Sequence, residues 1–249
     1  MSKLSLVIIA FNEEDNIAAC IDSVGSLADE VVVIDSFSTD TTASMAEAKG
    51  ARLLRKEFKG YIEQKNFATE AAANDFVLNL DADERLSPLL LSELKKEKEK
   101  GFPFSAYAMN RLNFYCGRPV KSCGWYPDTK VRLWNRKVGR WVGGLVHEKM
   151  ELDEDVSVKK LEGDILHYTY NTKQELVNQV NRFSDLAARQ LKTKSSALLV
   201  LKMFFSPVVK FVRNYVFNLG FADGNVGLVI CYQQAREVFL KYRKALALK

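Results

Sequence analysis

The chain has 249 residues, 47% hydrophobic and 27% charged, the proportions of an ordinary folded soluble protein with room for one large domain or a domain plus an appendage. The formal charge of +5 is unevenly placed: residues 189–249 carry 11 Lys/Arg against two acids, Asp223 and Glu237, and the first 188 residues carry 25 against 29. The basic tail is too apolar for a phosphate-tracking surface, which excludes nucleic acid as its partner.

In chain order, residues 5–10 read as a first strand rather than a signal peptide, because the apolar run has no cleavage site and breaks into Phe11-Asn12-Glu13-Glu14. A helix is expected over residues 14–27, then a Val/Ile-rich strand over 30–34 closed by Asp35. Ser38, Thr39 or Asp40 can cap a helix running to Lys49, with Gly50 after it and a short strand over 51–54. A helix over 61–73 leads into a strand ending at Asp81, and Pro88 opens a helix to Lys100. Strands alternating with helices imply right-handed crossovers and a parallel sheet, hence an α/β fold. There is no GxGxxG or P-loop sequence, so neither a typical dinucleotide fold nor a Walker NTPase is expected. Cys20, Cys116, Cys123 and Cys231 lack metal-ligand spacing and suggest reduced thiols.

Phe76-Val77-Leu78-Asn79-Leu80-Asp81-Ala82-Asp83-Glu84 is a buried-strand pattern running into three acids. Residues i and i+2 of an extended segment point the same way, so Asp81 and Asp83 can converge on one Mg²⁺ or Mn²⁺. A solvated acidic turn capping the next helix is the competing reading. Parallel strands end at one edge of a sheet, where open α/β folds place ligands. Asn12, Glu13 and Asp35 could therefore meet the Asp81–Asp83 pair there. Asp35 suits a base or ribose, or else caps the following helix. Lys65 could offset phosphate charge, or else is a solvated lysine.

Residues 101–163 change pattern, with strands expected over 106–114 and 130–134 and many turn glycines and prolines. Amphipathic aromatics suit a ligand with apolar faces and polar edges; most rings there are expected in the core, with Trp125 and Trp141 favoured to line an acceptor site. Residues 173–190 read as an amphipathic helix. Residues 197–217 are strongly apolar, but Lys202, Pro207, Lys210 and Arg213 argue against a membrane span. That pattern suits a helix lying in the interface of an anionic membrane, or helices packed on the preceding α/β domain or on a homodimer partner.

Val7 to Glu14, Val32 to Asp40, Gln64-Lys65-Asn66 and Leu80 to Glu84 together resemble the successive motifs of family 2 glycosyltransferases, which have the glycosyltransferase-A fold and use nucleotide-diphosphate sugars. Asp128 to Leu133, Val146-His147-Glu148 and Leu166-His167-Tyr168 resemble the branch containing lipopolysaccharide inner-core β-1,4-glucosyltransferases. The resemblance implies a catalytic domain over residues 1–170, with a nucleotide-sugar half at 1–100 and an acceptor half at 101–170. Residues 171–249 would form a helical, membrane-associating region. It implies a UDP-sugar pocket from Ala10, Asn12, Glu13, Asp35, Lys65 and Asp81, and a metal held by Asp83 and Asp81, with His167 completing the shell. The family's usual Glu-Asp base pair is absent, and His147-Glu148 stands where it should fall. Glu148 is thus the expected base, with Asp128 in reserve; His147 would orient Glu148, touch the acceptor or be structural. The expected activity is inverting transfer of glucose to a glycolipid heptose at the cytoplasmic face of a membrane. The alternatives are a related nucleotidyltransferase, which the sequence after strand one disfavours, and a non-catalytic membrane-associated module.

Overall fold

A computed structural model gives the fold and describes residues 2–143, 148–191, 193 and 195–249. The chain forms two compact units, one of Met1–Arg111 with Asp128–His167 and one of Leu112–Pro127 with Tyr168–Lys249. In chain order come β1 (Leu4–Ala10), α1 (Ile17–Val24), β2 (Glu30–Asp35), α2 (Thr42–Ala48), β3 (Arg52–Arg55), α3 (Tyr61–Ala71), β4 (Phe76–Asp81), β5 (Glu84–Leu86) and α4 (Pro88–Glu99). Strand β6 (Ala106–Tyr115) carries the chain into the second unit, which holds the short β7 (Arg118–Pro119). Then follow β8 (Asp128–Asn135), the paired β9 (Gly139–Gly143) and β10 (Glu148–Leu152), and β11 (Val158–Tyr170). Helices α5 (Lys173–Gln190), α6 (Ser196–Val212) and α7 (Gly224–Ala247) complete the described chain.

The large sheet has the order β3-β2-β1-β4-β8-β6-β11-β5. Its β3-β2-β1-β4 block is parallel, and β4–β8, β8–β6 and β11–β5 pair antiparallel. Successive strand residues point to opposite faces, and here both faces are covered, so the strands must be apolar throughout. Leu4, Leu6 and Ile8 of β1, with Val33, Leu78 and Leu80, pack on α1 and α4 through residues such as Ile17, Ile21, Leu90 and Leu94. Val7, Val32, Ile34 and Val77 face the other way, onto Ala68 of α3 and the indoles of Trp134 and Trp141. The parallel register sets Ala10 opposite Asp35 and Ile9 opposite Asp81. The polar ends of three strands thus share one edge.

Helix α1 begins later than expected, because the Glu13 carbonyl accepts the amides of Asn16 and Ile17 at 3.0 and 2.9 Å and closes a turn first. Strands β5, β7, β9, β10 and β11 have no counterpart in the sequence expectation. The compact units do not follow the expected boundary at residue 170, since residues 112–127, expected in the acceptor half of the catalytic domain, group with the helices. Asp223 accepts the amides of Lys121 and Ser122 and the Ser122 hydroxyl (3.1, 3.0 and 2.6 Å), and Gln234 donates to the Cys123 carbonyl. These partners lie about a hundred positions apart, so local pattern does not reveal them.

Within the second unit, Leu176 and Val180 of α5 and Ile230 and Cys231 of α7 share a cluster with Tyr115, Val120 and Cys123. A second cluster joins Ala188, Leu199, Tyr242 and Ala245. Gly227 lies so close to Gly220 that a Cβ on it would sit 1.8 Å from the Gly220 carbonyl oxygen, so the turn onto α7 requires glycine there. Among the described residues no helix is long and apolar enough to cross a membrane.

Candidate active site

The loops after β1 and β2 are stitched together. The Asn12 amide donates to Ser38 Oγ (2.9 Å), and Asn12 Oδ1 accepts the Thr39 amide (2.9 Å). The Glu13 amide donates to Thr42 Oγ1 (2.7 Å), and Glu14 accepts from the Thr41 amide and hydroxyl. Asn12 sits at φ 54°, a left-handed conformation that asparagine tolerates. Asp35 is fully buried and takes the Ser38 amide on both oxygens at 3.2 and 3.1 Å. It does not cap α2, whose N-cap position is Thr41; Asp40 accepts the Thr42 amide at 3.0 Å. Burial, and then the acids Asp83, Asp40 and Asp81, push the Glu13 carboxyl above the usual range against its hydrogen bond from Asn16.

Beside these loops stand two aromatic rings that the sequence reading passed over. Phe11 is 57% exposed and Phe37 56%. Phe37 also has φ 62°, a strained position for a bulky side chain and one that marks functional loops. Two open aromatic faces next to a buried Asp can take a planar heterocycle. The signal available in the sequence was a Phe within two residues of the end of each of these strands.

Three consecutive residues of α3 each hold a different part of the site. Gln64 donates to Ser36 Oγ and the Lys56 carbonyl, both at 3.0 Å. Asn66 exchanges two 2.9 Å bonds with the backbone of Trp141. Between them, Lys65 is 2% exposed, which corrects the solvated-lysine alternative. Its ammonium lies 3.0 Å from Asp81, 3.5 Å from Glu148 and 4.7 Å from the centre of the Trp141 ring.

Asp81 is shared between two cations. Its other oxygen meets Arg132 at 2.9 Å, and Arg132 also bonds Glu84 (2.7 Å) and Asn79 (3.1 Å). Burial alone would raise the Asp81 carboxyl, but Lys65 and Arg132 more than reverse it and hold the group well below the usual carboxylate range. Burial likewise disfavours the Arg132 charge, and Glu84 and Asp81 outweigh it, so its pKa is raised. The fully buried Glu84 receives the Asp81 amide (3.0 Å) and meets Arg111 at 3.5 Å. Arg111 continues to Asp128 at 2.8 Å. Arg132 and Glu84 are the hub of this network, and the sequence reading gave neither a role.

Asp83 does not converge with Asp81 as the extended-segment argument required. Residues 82 and 83 form a turn between β4 and β5, so the i, i+2 geometry is lost, and Asp83 pairs instead with His167 Nε2 at 3.1 Å. Among the described residues no group of three or more His, Cys, Asp or Glu side chains is gathered around one ion position. A carboxylate and an imidazole nevertheless suit a divalent ion that arrives with its substrate, since Mg²⁺ and Mn²⁺ sites commonly take one or two protein donors and fill the shell with phosphate oxygens and water.

Of the two candidate bases, Glu148 opens β10 and keeps its carboxylate partly accessible (27%) beside Lys65. Asp128 has one oxygen on Arg111 and the other on Lys130 (3.0 Å). Burial opposes its charge, yet Arg111 and Lys130 prevail and hold it below the usual range, which makes it a poor proton acceptor. Trp141 is no open acceptor platform: it is 5% exposed and packs edge-on to Trp134 at 5.9 Å. Trp125 belongs to the second unit, 6.0 Å from Tyr170. His147 lies outside the described residues.

A helix-covered sheet with acids and a buried lysine at the carboxyl edge of its parallel block is the glycosyltransferase-A arrangement. The sequence model of Glycosyl transferase family 2 matches residues 5–138, and the chain belongs to that family. It is 35% identical to an uncharacterized glycosyltransferase of Rickettsia typhi, over 99% of this chain and 91% of that one. It is 28% identical to the lipopolysaccharide core biosynthesis glycosyltransferase LpsC of Rhizobium meliloti, over 96% and 93%. Among solved structures it resembles glucosyl-3-phosphoglycerate synthase from Mycobacterium tuberculosis, in complex with Mn²⁺, UDP and glucosyl-3-phosphoglycerate. That match has 30% identity, a TM-score of 0.37 and coverage of 46% of this chain and 44% of that chain.

Proposed function

We propose that this glycosyltransferase is an inverting, divalent-metal-dependent hexosyltransferase that moves glucose from UDP-glucose to a sugar on a growing glycolipid, such as a heptose of a lipopolysaccharide core. The observation that carries the reading is the Lys65 bridge, which sets the carboxylate of Glu148 beside Asp81 at the mouth of the Asp81–Asp83 turn. LpsC, similar over nearly its whole length, is named for lipopolysaccharide core biosynthesis and supports the acceptor class. Such an acceptor is lipid-linked, which places the reaction at the inner face of the cytoplasmic membrane.

In this reading Asp35 receives the base through its fixed carboxylate, with Phe11 and Phe37 flanking it. The acceptor oxygen bonds to the anomeric carbon as the bond to the UDP oxygen breaks, and Glu148 takes the acceptor proton, a contribution of about 10²–10⁴-fold. Lys65 holds Glu148 in place and keeps positive charge near the departing diphosphate. A divalent ion held by Asp83 and His167 would supply Lewis-acid stabilisation of that diphosphate. The test is calorimetric titration of UDP with Mn²⁺ and again with EDTA, followed by a panel of UDP-sugars. Micromolar binding lost in EDTA supports the site; silence with UDP, GDP and other nucleotides overturns it, and binding indifferent to EDTA retires the metal.

A further inference from the structure

Helix α6 turns most of its large apolar side chains outward. Leu198, Leu201, Phe205, Val208 and Val212 recur at helical spacing and are 40–65% exposed. The stripe runs on past the helix through Val216 (50%) and Phe217 (75%). On the other side, Leu199 and Asn214 are buried, and Met203, Ser206, Lys210 and Phe211 are half-buried. Asn214 there donates to Gln234 of α7. A helix packed on a water-soluble unit keeps its larger apolar face inward, whereas here the larger one faces outward. A contiguous outward stripe of this size marks a surface that something covers.

The charge around the stripe selects the occupant. Residues 196–222 contain no acid, while Lys202 and Arg213 stand exposed beside the apolar side chains. A symmetric contact between two copies would bring like charges together, because a two-fold interface pairs one patch with itself. An anionic bilayer accepts both parts, the apolar side chains among the upper acyl chains and the cations at the headgroups. The helix has 17 residues interrupted by Lys202, Pro207 and Lys210, so it suits lying in the interface and not crossing it.

We infer that the outward face of α6 and the turn after it dock this chain on an anionic lipid surface. The inference rests on the lipid-linked acceptor proposed above for its purpose, but its test needs neither donor nor acceptor. The full chain is floated with vesicles of phosphatidylcholine containing about 30% phosphatidylglycerol, and with phosphatidylcholine alone. Binding to the anionic vesicles should be about tenfold tighter or more, and should weaken as salt shortens the screening length. The double variant Phe205→Asp/Val209→Asp changes two side chains that are each 65% exposed, so the fold should persist. It should lose at least about tenfold in vesicle affinity while its circular dichroism and UDP titration stay unchanged. A separate Phe205→Trp chain should shift its emission to the blue on anionic vesicles alone. Absence of wild-type binding, equal binding by the double variant, or an emission unmoved by lipid each overturns the proposal. So does a wild-type dimer that the two aspartates split, which would make the face an interface between copies. Failure of the transferase reading shows separately, as silence in the UDP titration.

Discussion

Replacing Arg132 by methionine removes the centre of the buried charge network while keeping most of the side-chain volume. Arg132 is 4% exposed at its side chain, and its loss takes one partner each from Glu84, Asp81 and Asn79. Breaking a buried ion pair typically costs about 3–5 kcal/mol. The lower end applies here, since Glu84 keeps the Asp81 amide and Arg111 and Asp81 keeps Lys65. Stranding the Asn79 oxygen adds about 1 kcal/mol, for a total near 4 kcal/mol. That corresponds to a fall in Tm of about 8–16 °C for a unit of this size. Urea denaturation followed by tryptophan emission reads the first unit directly if Trp125 is replaced by Phe, because Trp134 and Trp141 both sit in that unit's core. Adding Glu84→Gln should restore about 2 kcal/mol by discharging the stranded carboxylate, and Arg132→Lys should fall between, keeping the charge but not the fork. A cost below about 1 kcal/mol, or no recovery with Glu84→Gln, would refute the view of Arg132 as the compensating charge.

Three further outcomes follow from the same geometry. Lys65→Met should cost about 2–3 kcal/mol at neutral pH, less than a wholly orphaned charge because Arg132 remains. The depressed Asp81 carboxyl contributes stability that is present above its unfolded value near 3.8 and is lost as pH falls through the lower folded value, so the gap between wild type and variant should shrink below about pH 4. A gap constant from pH 7 to 3, measured by denaturation midpoints, would show that Lys65 is not what depresses Asp81. Glu148→Gln should lower kcat by about 10²–10⁴-fold with UDP affinity unchanged, and normal turnover would move the base elsewhere. Asp83→Asn should lose about tenfold or more of the Mn²⁺-dependent part of UDP affinity in calorimetry, and undiminished metal dependence would remove Asp83 from the ion site.

What could be read from the sequence depended on whether the information was local. Strand β4 and its acids were legible because two-sided burial leaves an unbroken apolar run, and α5 was legible to the residue because its amphipathic period is regular. Lys65 was named for the donor pocket, but its burial was not legible, because α3 buries Gln64, Lys65 and Thr69 as well as Ala68, so its inner face lacks the apolar signature of a packed helix. What makes that burial tolerable is Glu148, 83 positions away, and Asp81, itself neutralised by an arginine 51 positions further on. Trp141 misled for a related reason: an indole in an aromatic-rich stretch reads the same whether it faces a sugar or another tryptophan. The Asp83–His167 contact was half legible: both residues were named, but Asp83 was joined to Asp81 on an extended geometry that the turn at residues 82–83 abolishes.

The crossing of the chain into the helical unit at Leu112 and out again at Pro127 sets a timetable for synthesis. Ser122 leaves the ribosome 101 residues ahead of Asp223, the carboxylate that will hold it. At about 5–20 residues per second, that is a wait of roughly 5–20 s. The first unit, in contrast, has all its strands by residue 167 and can close while the helices are still being made. A fragment expressed from residue 168 onward would contain the three long helices but not the loop that Asp223 and Gln234 bind. The helical unit is therefore not a portable module, and a gene fusion that transplants it must carry residues 112–127 along.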